Sequence, residues 1–490
     1  MESYGFVSLI PALLTIILAV KTRNVIISLG FGSFSGAVII KHYNPFQGAL
    51  YLVETKIFDQ ISSPSNNQVL ITIGIIGGFI KLVESSGGTQ AFAKKMTEVI
   101  SSPLKAQVST WLCGLGIFFS DSGNSLILGP LFSPIYKKLG ICKEKLAYIL
   151  DSTSAPICIL IPFISWGAYI MSLIETTYAD MGIEANPLSV LLTAMPYQFY
   201  ALLTLLAVPI IAYLGKDFGP MLKAQKEYIP EEIETTEITL EGTTTVWAII
   251  IPLLTLFVSL GTLMTYYYLG KDGLTSTHIR TALFISYLIA SLSTALYSRI
   301  KNNRPFLESV RTFVKGGESM IFIFYILILA WTLSSVCKEM QTGQYIAENI
   351  KEFVSPGIFP MIVFFLGALI SISTGTSYGT FAILMPIALP VAYDLQASLV
   401  ITLAAILSGG LFGDHTSPIS DTTVIASMGA ECDHMKHVNT QLVYSMVTGM
   451  VAGICFLIAA SFQSPFVLLF GAILLVLTLL VVTKKFGESV

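Results

Sequence analysis

Apolar stretches long enough to cross a bilayer recur along almost the entire chain, and no other feature restricts the fold so severely. A membrane helix needs about 20 predominantly apolar residues. Candidate spans fall at 6–20, 24–40, 68–83, 104–120, 157–176 and 187–214, then at 245–268, 281–298, 319–336, 357–374, 397–412, 438–460 and 464–483. Two further apolar pieces, 126–136 and 381–393, are too short for ordinary spans and read as half-helices. Only 12% of residues are charged and the mean hydropathy is +0.75, whereas a soluble protein would carry about 25% charged residues.

Several function classes drop out. The formal net charge of −3 offers no basic surface for nucleic acid. Six widely separated cysteines form no CxxC and no disulfide scaffold. A phosphate-binding GxxxxGK[ST] loop is absent, so ATP-driven transport has no support. Residues 6–20 lack a preceding positive segment, and Lys21 and Arg23 follow the run. That polarity predicts a first membrane span rather than a cleaved signal peptide.

Positive charges orient the spans, because short cytoplasmic loops are rich in Lys and Arg. The clusters are Lys21/Arg23, Lys137/Lys138/Lys143/Lys145, Lys216/Lys223/Lys226, Arg299/Lys301/Arg304/Arg311/Lys315 and Lys484/Lys485. One topology places them all inside, with the N-terminus outside and the C-terminus cytoplasmic. It divides the chain into an N-terminal transmembrane half (1–214), a charged cytoplasmic linker (215–244) and a C-terminal transmembrane half (245–490). The linker carries Glu227, Glu231, Glu232, Glu234, Glu237 and Glu241 after its lysines. Loop 137–145 falls inside while its counterpart 394–396 falls outside, so the halves are inverted.

The repeat is also visible in the residues. Gly129-Pro130-Leu131-Phe132-Ser133-Pro134 resembles Met385-Pro386-Ile387-Ala388-Leu389-Pro390, an offset of 386 − 130 = 256. Thr153-Ser154-Ala155-Pro156-Ile157 resembles His415-Thr416-Ser417-Pro418-Ile419, offset by 418 − 156 = 262. Inverted repeats with Gly/Pro-interrupted apolar segments are the signature of alternating-access carriers, whose unwound backbone lines a midplane site. The predicted fold is therefore an all-α polytopic membrane protein, with two inverted-topology repeats whose broken helices or re-entrant hairpins meet there.

Four polar interruptions mark that site: Ser120-Asp121-Ser122-Gly123-Asn124-Ser125, Asp151-Ser152-Thr153-Ser154-Ala155-Pro156, Thr374-Gly375-Thr376-Ser377-Tyr378-Gly379-Thr380, and Gly413 through Thr423 with Asp414, His415, Thr416, Ser417, Ser420 and Asp421. A carboxylate at membrane depth is expensive and marks an ion or proton pathway. Desolvation favours the protonated form of a carboxylic acid, so competition between Na+ and H+ for one carboxylate would by itself give exchange. Asp121, Asp151, Asp414 and Asp421 are the candidate carriers. Asn124, Thr376, Ser377, Thr380, Thr416 and Ser420 would add neutral oxygens, with Ser122, Ser125, Thr153, Ser154, Thr374, Tyr378 and Ser417 beside them. Trp166 either lines the cavity or packs.

Blander readings stand beside these. Asp151 could cap a helix beginning at Ser152. Asp414 and Asp421 could serve His415 and backbone amides, and Glu318 reads as interfacial. Cys432-Asp433-His434 with His437 suggests a metal site, but it falls at the cytoplasmic edge with no second cluster. No metal is expected beyond Na+ at the four aspartates.

Asn124-Ser125-Leu126, Asp151-Ser152-Thr153, Ser165-Trp166-Gly167-Ala168, Thr374 through Thr380, and Phe412 through Thr423 together resemble the NhaC-like sodium/proton antiporter family. So does the ending Cys432-Asp433-His434 with His437-Val438. The resemblance covers nearly the whole chain. It implies a secondary transporter of the bacterial inner membrane, with Na+ and/or H+ as coupling ions and no other cofactor. It also embraces carriers of organic acids and amino acids. Many relatives have a second acidic residue where this chain has Ser122, followed by an aromatic where it has Gly123; the small pair leaves room for a solute.

The expected function is Na+/H+ antiport by alternating access, the alternative being Na+- or H+-coupled transport of a small organic acid or amino acid. A channel is disfavoured by the inverted halves. An enzyme is disfavoured because His415 has no nucleophile elbow or metal-ligand pattern around it. Expected partners are the lipid bilayer, Na+/H+ and a small organic solute. The oligomeric state, a homodimer included, stays open.

Overall fold

The computed structural model describes residues 4–97, 100–229, 245–270 and 275–489. Among these, seven helices are long and apolar enough to cross a membrane, or nine if two sharply bent pairs each count as one span. Four predicted spans are not simple crossings. The 104–120 run forms Pro103–Gly116, whose 14 residues reach only about 21 Å of the ~30 Å hydrocarbon core. It turns back at 117–120 into Asp121–Lys138, making a hairpin with the short piece predicted at 126–136. Phe359–Thr374 and Ser377–Asp394 form the second hairpin.

The other two are broken helices. Predicted span 157–176 begins inside an irregular stretch between Lys143–Ser152 and Ser165–Asp180 that holds only the one-turn Ala155–Cys158. Pro156 and Pro162 keep it irregular by removing backbone donors. Its counterpart runs from Leu399–Asp414 across 415–420 into Asp421–Gly429. The apolar runs were visible, but hydropathy does not distinguish a crossing from a return.

Contacts across the loops sort the ends into two faces. Lys137 pairs with Glu431 at 2.9 Å, Arg304 Nη1 donates to Ser85 Oγ at 2.9 Å, and Lys216–Phe218 pairs antiparallel with Gly487–Ser489. These unite the basic clusters of 137–145, 216–226, 299–315 and 484–485 on one face. Helix Ile10–Thr22 delivers Lys21 there too, since its far end lies by Ser8, whose carbonyl accepts from Thr342. On the opposite face Arg280 pairs with Glu175, Lys338 with Asp180, and Lys56 with Glu339. The first hairpin enters from the basic face and the second from the opposite face, so the repeats are inverted.

Their turns match atom for atom. Ser120 Oγ accepts from Gly123 N at 2.9 Å, and Thr376 Oγ1 accepts from Gly379 N at 3.5 Å. Both pairs differ by 376 − 120 = 379 − 123 = 256, the offset of the proline pair. Such side-chain caps satisfy donors that a helix start leaves unpaired.

Gly375 closes the second tip with φ +66°, and a Cβ there would lie 2.5 Å from the Ile419 carbonyl oxygen. Gly375→Ala is expected to lower stability by about 1–3 kcal/mol, the scale of a non-glycine residue forced into this region. A melting curve of the detergent-purified variant, read against wild type, checks it.

Much of the predicted linker is folded onto the membrane body. Residues 216–218 form the short ribbon with the C-terminal strand, the only β structure among the described residues, and Gly219–Glu227 is helical. Asp217 is buried, pairs with Lys145 and accepts from Tyr444 at 2.6 Å. Glu231, Glu232, Glu234, Glu237 and Glu241 lie outside the described residues.

Candidate transport site

Each break brings a helix C-terminus and a helix N-terminus to the middle of the protein. This sorts the four aspartates by electrostatics. Asp121 and Asp421 are the first residues of Asp121–Lys138 and Asp421–Gly429, where the positive end of the helix dipole stabilises an anion. Asp151 and Asp414 sit in the last turns of Lys143–Ser152 and Leu399–Asp414, where the dipole disfavours one. Asp151 therefore does not cap a helix starting at Ser152. A carboxylate at a buried C-terminus calls for a cation or a proton.

Both are deeply buried, at 1% and 3% exposure. Asp151 Oδ2 accepts from Thr423 Oγ1 at 3.0 Å and from Gln441 Nε2 at 2.6 Å. Asp414 Oδ2 accepts from Ser377 Oγ at 2.8 Å. In each carboxylate the other oxygen, Oδ1, makes no hydrogen bond, nor do Asn124 Oδ1 and Ser125 Oγ near the start of Asp121–Lys138. Buried polar atoms are paired in the great majority of cases. Four orphan oxygens at the breaks fit hard-cation ligands.

Asp121 and Asp421 face an open cavity of about 380 Å3, together with Ser120, Ser122, Trp166, Thr376 and Tyr378. Trp166 Nε1 donates to Asp121 Oδ2 at 3.2 Å, and its ring lies 4.5 Å from that of Tyr378. Asp121 Oδ1 also accepts from Ser122 N at 2.6 Å. Asp121 thus opens a helix rather than an unwound stretch.

Other predicted residues brace the breaks. Asn124 Nδ2 donates to the carbonyls of Gly114 and Thr153, both at 2.9 Å, tying the first hairpin to the first broken helix. Ser417 Oγ donates to the Ile372 carbonyl at 2.8 Å, tying the second pair. Thr153, Thr374, Thr380 and Thr416 donate to carbonyls four residues earlier, and Ser154 to that of Asp151. Ser420 caps Asp421–Gly429. His415 is buried, with Nδ1 2.8 Å from Tyr200 OH and Nε2 3.9 Å from Asp151 Oδ2. No bond links it to Asp414. Glu318 is exposed.

Sequence reasoning missed Glu84, Lys81, Lys315 and Gln441. Glu84 Oε1 accepts from Ser120 Oγ at 2.7 Å and lines the cavity with both lysines. These three sit near span ends, where charge is ordinary. Gln441 carried a signal, a polar residue one turn after His437 within an apolar run.

The model of the family described as the Na+/H+ antiporter family matches residues 157–461. An uncharacterised protein of Haemophilus influenzae is 32% identical over 92% of this chain and 90% of its own length. The malate-2H(+)/Na(+)-lactate antiporter of Bacillus subtilis is 31% identical over 36% of this chain and 37% of its own. The solved structure of the efflux pump MtrF from Neisseria gonorrhoeae shares the fold, with a TM-score of 0.58 at 16% identity over 84% of each chain. This chain, a multi-pass membrane protein and a secondary transporter rather than an enzyme, belongs to the Na+/H+ antiporter family.

Proposed function

We propose that the protein exchanges Na+ for H+ by alternating access, the two ions competing at the buried carboxylates of the breaks. The observation that carries this reading is the placement of Asp151 and Asp414 at buried helix C-termini with one unpaired oxygen each. Asn124, Ser125, Ser377 and Thr423 supply neighbouring oxygens, and Asp121 and Asp421 guard the approach from the cavity. The basic face is assigned to the cytoplasm and the protein to the bacterial inner membrane, on the charge bias of its loops. Halves 1–214 and 245–490 then move against one another about segment 215–244.

A second reading is favoured by the cavity. A volume of about 380 Å3 lined by Lys81, Lys315, Glu84, Trp166 and Tyr378 exceeds the needs of a bare cation. It suits a small organic acid or amino acid carried with Na+ or H+. The Bacillus subtilis relative, named for malate and lactate exchange, lends that reading support.

Purified protein in liposomes holding an internal pH dye separates the two. Expected for antiport is a pH change when Na+ alone is added outside. Silence with Na+, and a response only when pooled organic acids or amino acids accompany it, would replace antiport by coupled solute transport.

A further inference from the structure

The cavity that holds Asp121 and Asp421 opens toward the basic face, where Lys81, Glu84 and Lys315 line it. A second pocket, of about 190 Å3, lies at the opposite face, with Asp180, Lys338 and Asp394 among its walls. The two are built from opposite ends of the same three helices. Ser165–Asp180 gives Trp166 to the inner cavity and Asp180 to the outer pocket. Ile321–Glu339 gives Phe322 and Ile323 to the first, and Ser334 and Lys338 to the second. Ser377–Asp394 gives Tyr378 to the first, and Pro386, Pro390 and Asp394 to the second.

The wall between them is thin. Tyr378 and Pro386 are 386 − 378 = 8 residues apart, about 12 Å along a helix. Aromatic rings fill that interval. The Tyr378 ring lies 4.5 Å from Trp166 and 4.7 Å from Tyr169, and Trp166 lies 6.3 Å from Phe381. Tyr169 OH donates to the Tyr378 carbonyl at 2.6 Å, pinning Ser165–Asp180 to Ser377–Asp394 across the layer. On the third helix Trp331 is buried one turn before Ser334, and its Nε1 has no acceptor.

Two features mark this layer as a closed gate rather than permanent packing. Buried N–H groups are almost always paired, so Trp331 lacks here a partner that a parted, hydrated layer provides. Pro386 and Pro390 have no N–H, which leaves the carbonyls of Ala382 and Pro386 without their helical donors. Such oxygens are hard ligands for a cation, and they stand in the wall between the pockets. The outer closure is light. Lys338 pairs with Asp180 at 3.3 Å, and Ser334 Oγ donates to the same carboxylate. Lys338 is half-exposed, and exposed ion pairs contribute little, so this closure releases readily.

We infer that the pocket at the opposite face is the second mouth of the transport path, through which a cation reaches Asp414 once the Trp166, Tyr169, Tyr378 and Phe381 layer parts. The route is short, because Ser377, which donates to Asp414, begins the helix that carries Tyr378 and Phe381. Asp180 and Asp394 outweigh the single Lys338 among the charges of the mouth, and a negative cleft draws cations in. The inference rests on the alternating-access part of the proposed function and says where the second opening lies.

Cys337 is a native reporter, lining the outer pocket yet only 4% exposed with the layer shut. The test treats the purified full-length protein with a charged methanethiosulfonate reagent and reads each cysteine by peptide mass spectrometry. Tyr169→Phe keeps the ring and removes the bond across the layer. It should raise the modification rate of Cys337 about fivefold, the shift that one buried hydrogen bond allows. Cys113 and Cys455, buried on other helices, should stay unreactive, which separates gate opening from general loosening. Treated protein placed in liposomes should lose its Na+-driven dye response, and Cys337→Ser should keep it. Equal Cys337 rates in wild type and Tyr169→Phe, or full transport after Cys337 is modified, would overturn the second mouth and leave the exchange reading standing. A wild type silent to Na+ would overturn the exchange reading instead. Labelling of Cys337 needs no ion flux and would then decide the mouth by itself.

Discussion

Asp414→Asn is expected to abolish Na+-coupled transport while leaving the protein folded. Its side chain ends Leu399–Asp414 at the edge of a break, buried, with Ser377 on one oxygen and nothing on the other. Asparagine preserves the size and the Ser377 contact but removes the charge. A desolvated cation then loses its counter-charge, worth about 3 kcal/mol or more when one partner of a buried charge pair is deleted, or at least ~100-fold in transport. The negative end of the helix no longer opposes a buried anion, so the melting temperature should stay level or rise. Dye-loaded liposomes and a melting curve check the two halves. Asp121→Asn should be milder, because Asp121 begins a helix, faces the cavity and is held by Trp166.

Lys145→Met is expected to destabilise the protein by about 3–5 kcal/mol, the loss typical when a buried charge is left without its partner. Lys145 and Asp217 are both nearly inaccessible, and Tyr444 bonds the same Asp217 oxygen. The pair ties Lys143–Ser152 to the strand Lys216–Phe218, which is itself paired with the C-terminal strand. Methionine leaves Asp217 charged and buried with only the Tyr444 hydroxyl. Lys145→Met with Asp217→Leu removes both charges and should recover most of the loss, since apolar pairs of similar volume replace buried ion pairs at little cost. Melting of the single and double variants decides between a stabilising latch and an incidental contact.

Membrane class, repeat and polar breaks were legible because they rest on local signals. Apolar run length gave the helices, paired prolines gave the offset of 256, and lysine clusters gave a single basic face. The breaks were legible as composition but not as geometry. Ser120-Asp121 reads as unwound chain, yet Ser120 is a cap and Asp121 the first helical residue. Asp151-Ser152 has the composition of a helix start and is a helix end. Which end of a helix a carboxylate occupies decides whether its charge is welcome, and that depends on where the chain turns. Sequence reasoning therefore valued all four aspartates alike, whereas the fold separates Asp151 and Asp414 from the pair on the cavity. Gln441 and Glu84 were missed for the complementary reason: each acts through a partner more than 30 residues away in sequence, Asp151 and Ser120 respectively.

The central claim is that Na+ and H+ compete for the same buried carboxylates. The most direct measurement adds NaCl to purified protein in weakly buffered detergent solution and records released protons, with choline chloride as the control. Saturable proton release by wild type, lost in Asp414→Asn, is the expected result. Na+ binding without proton release, or release that survives the substitution undiminished, would contradict it.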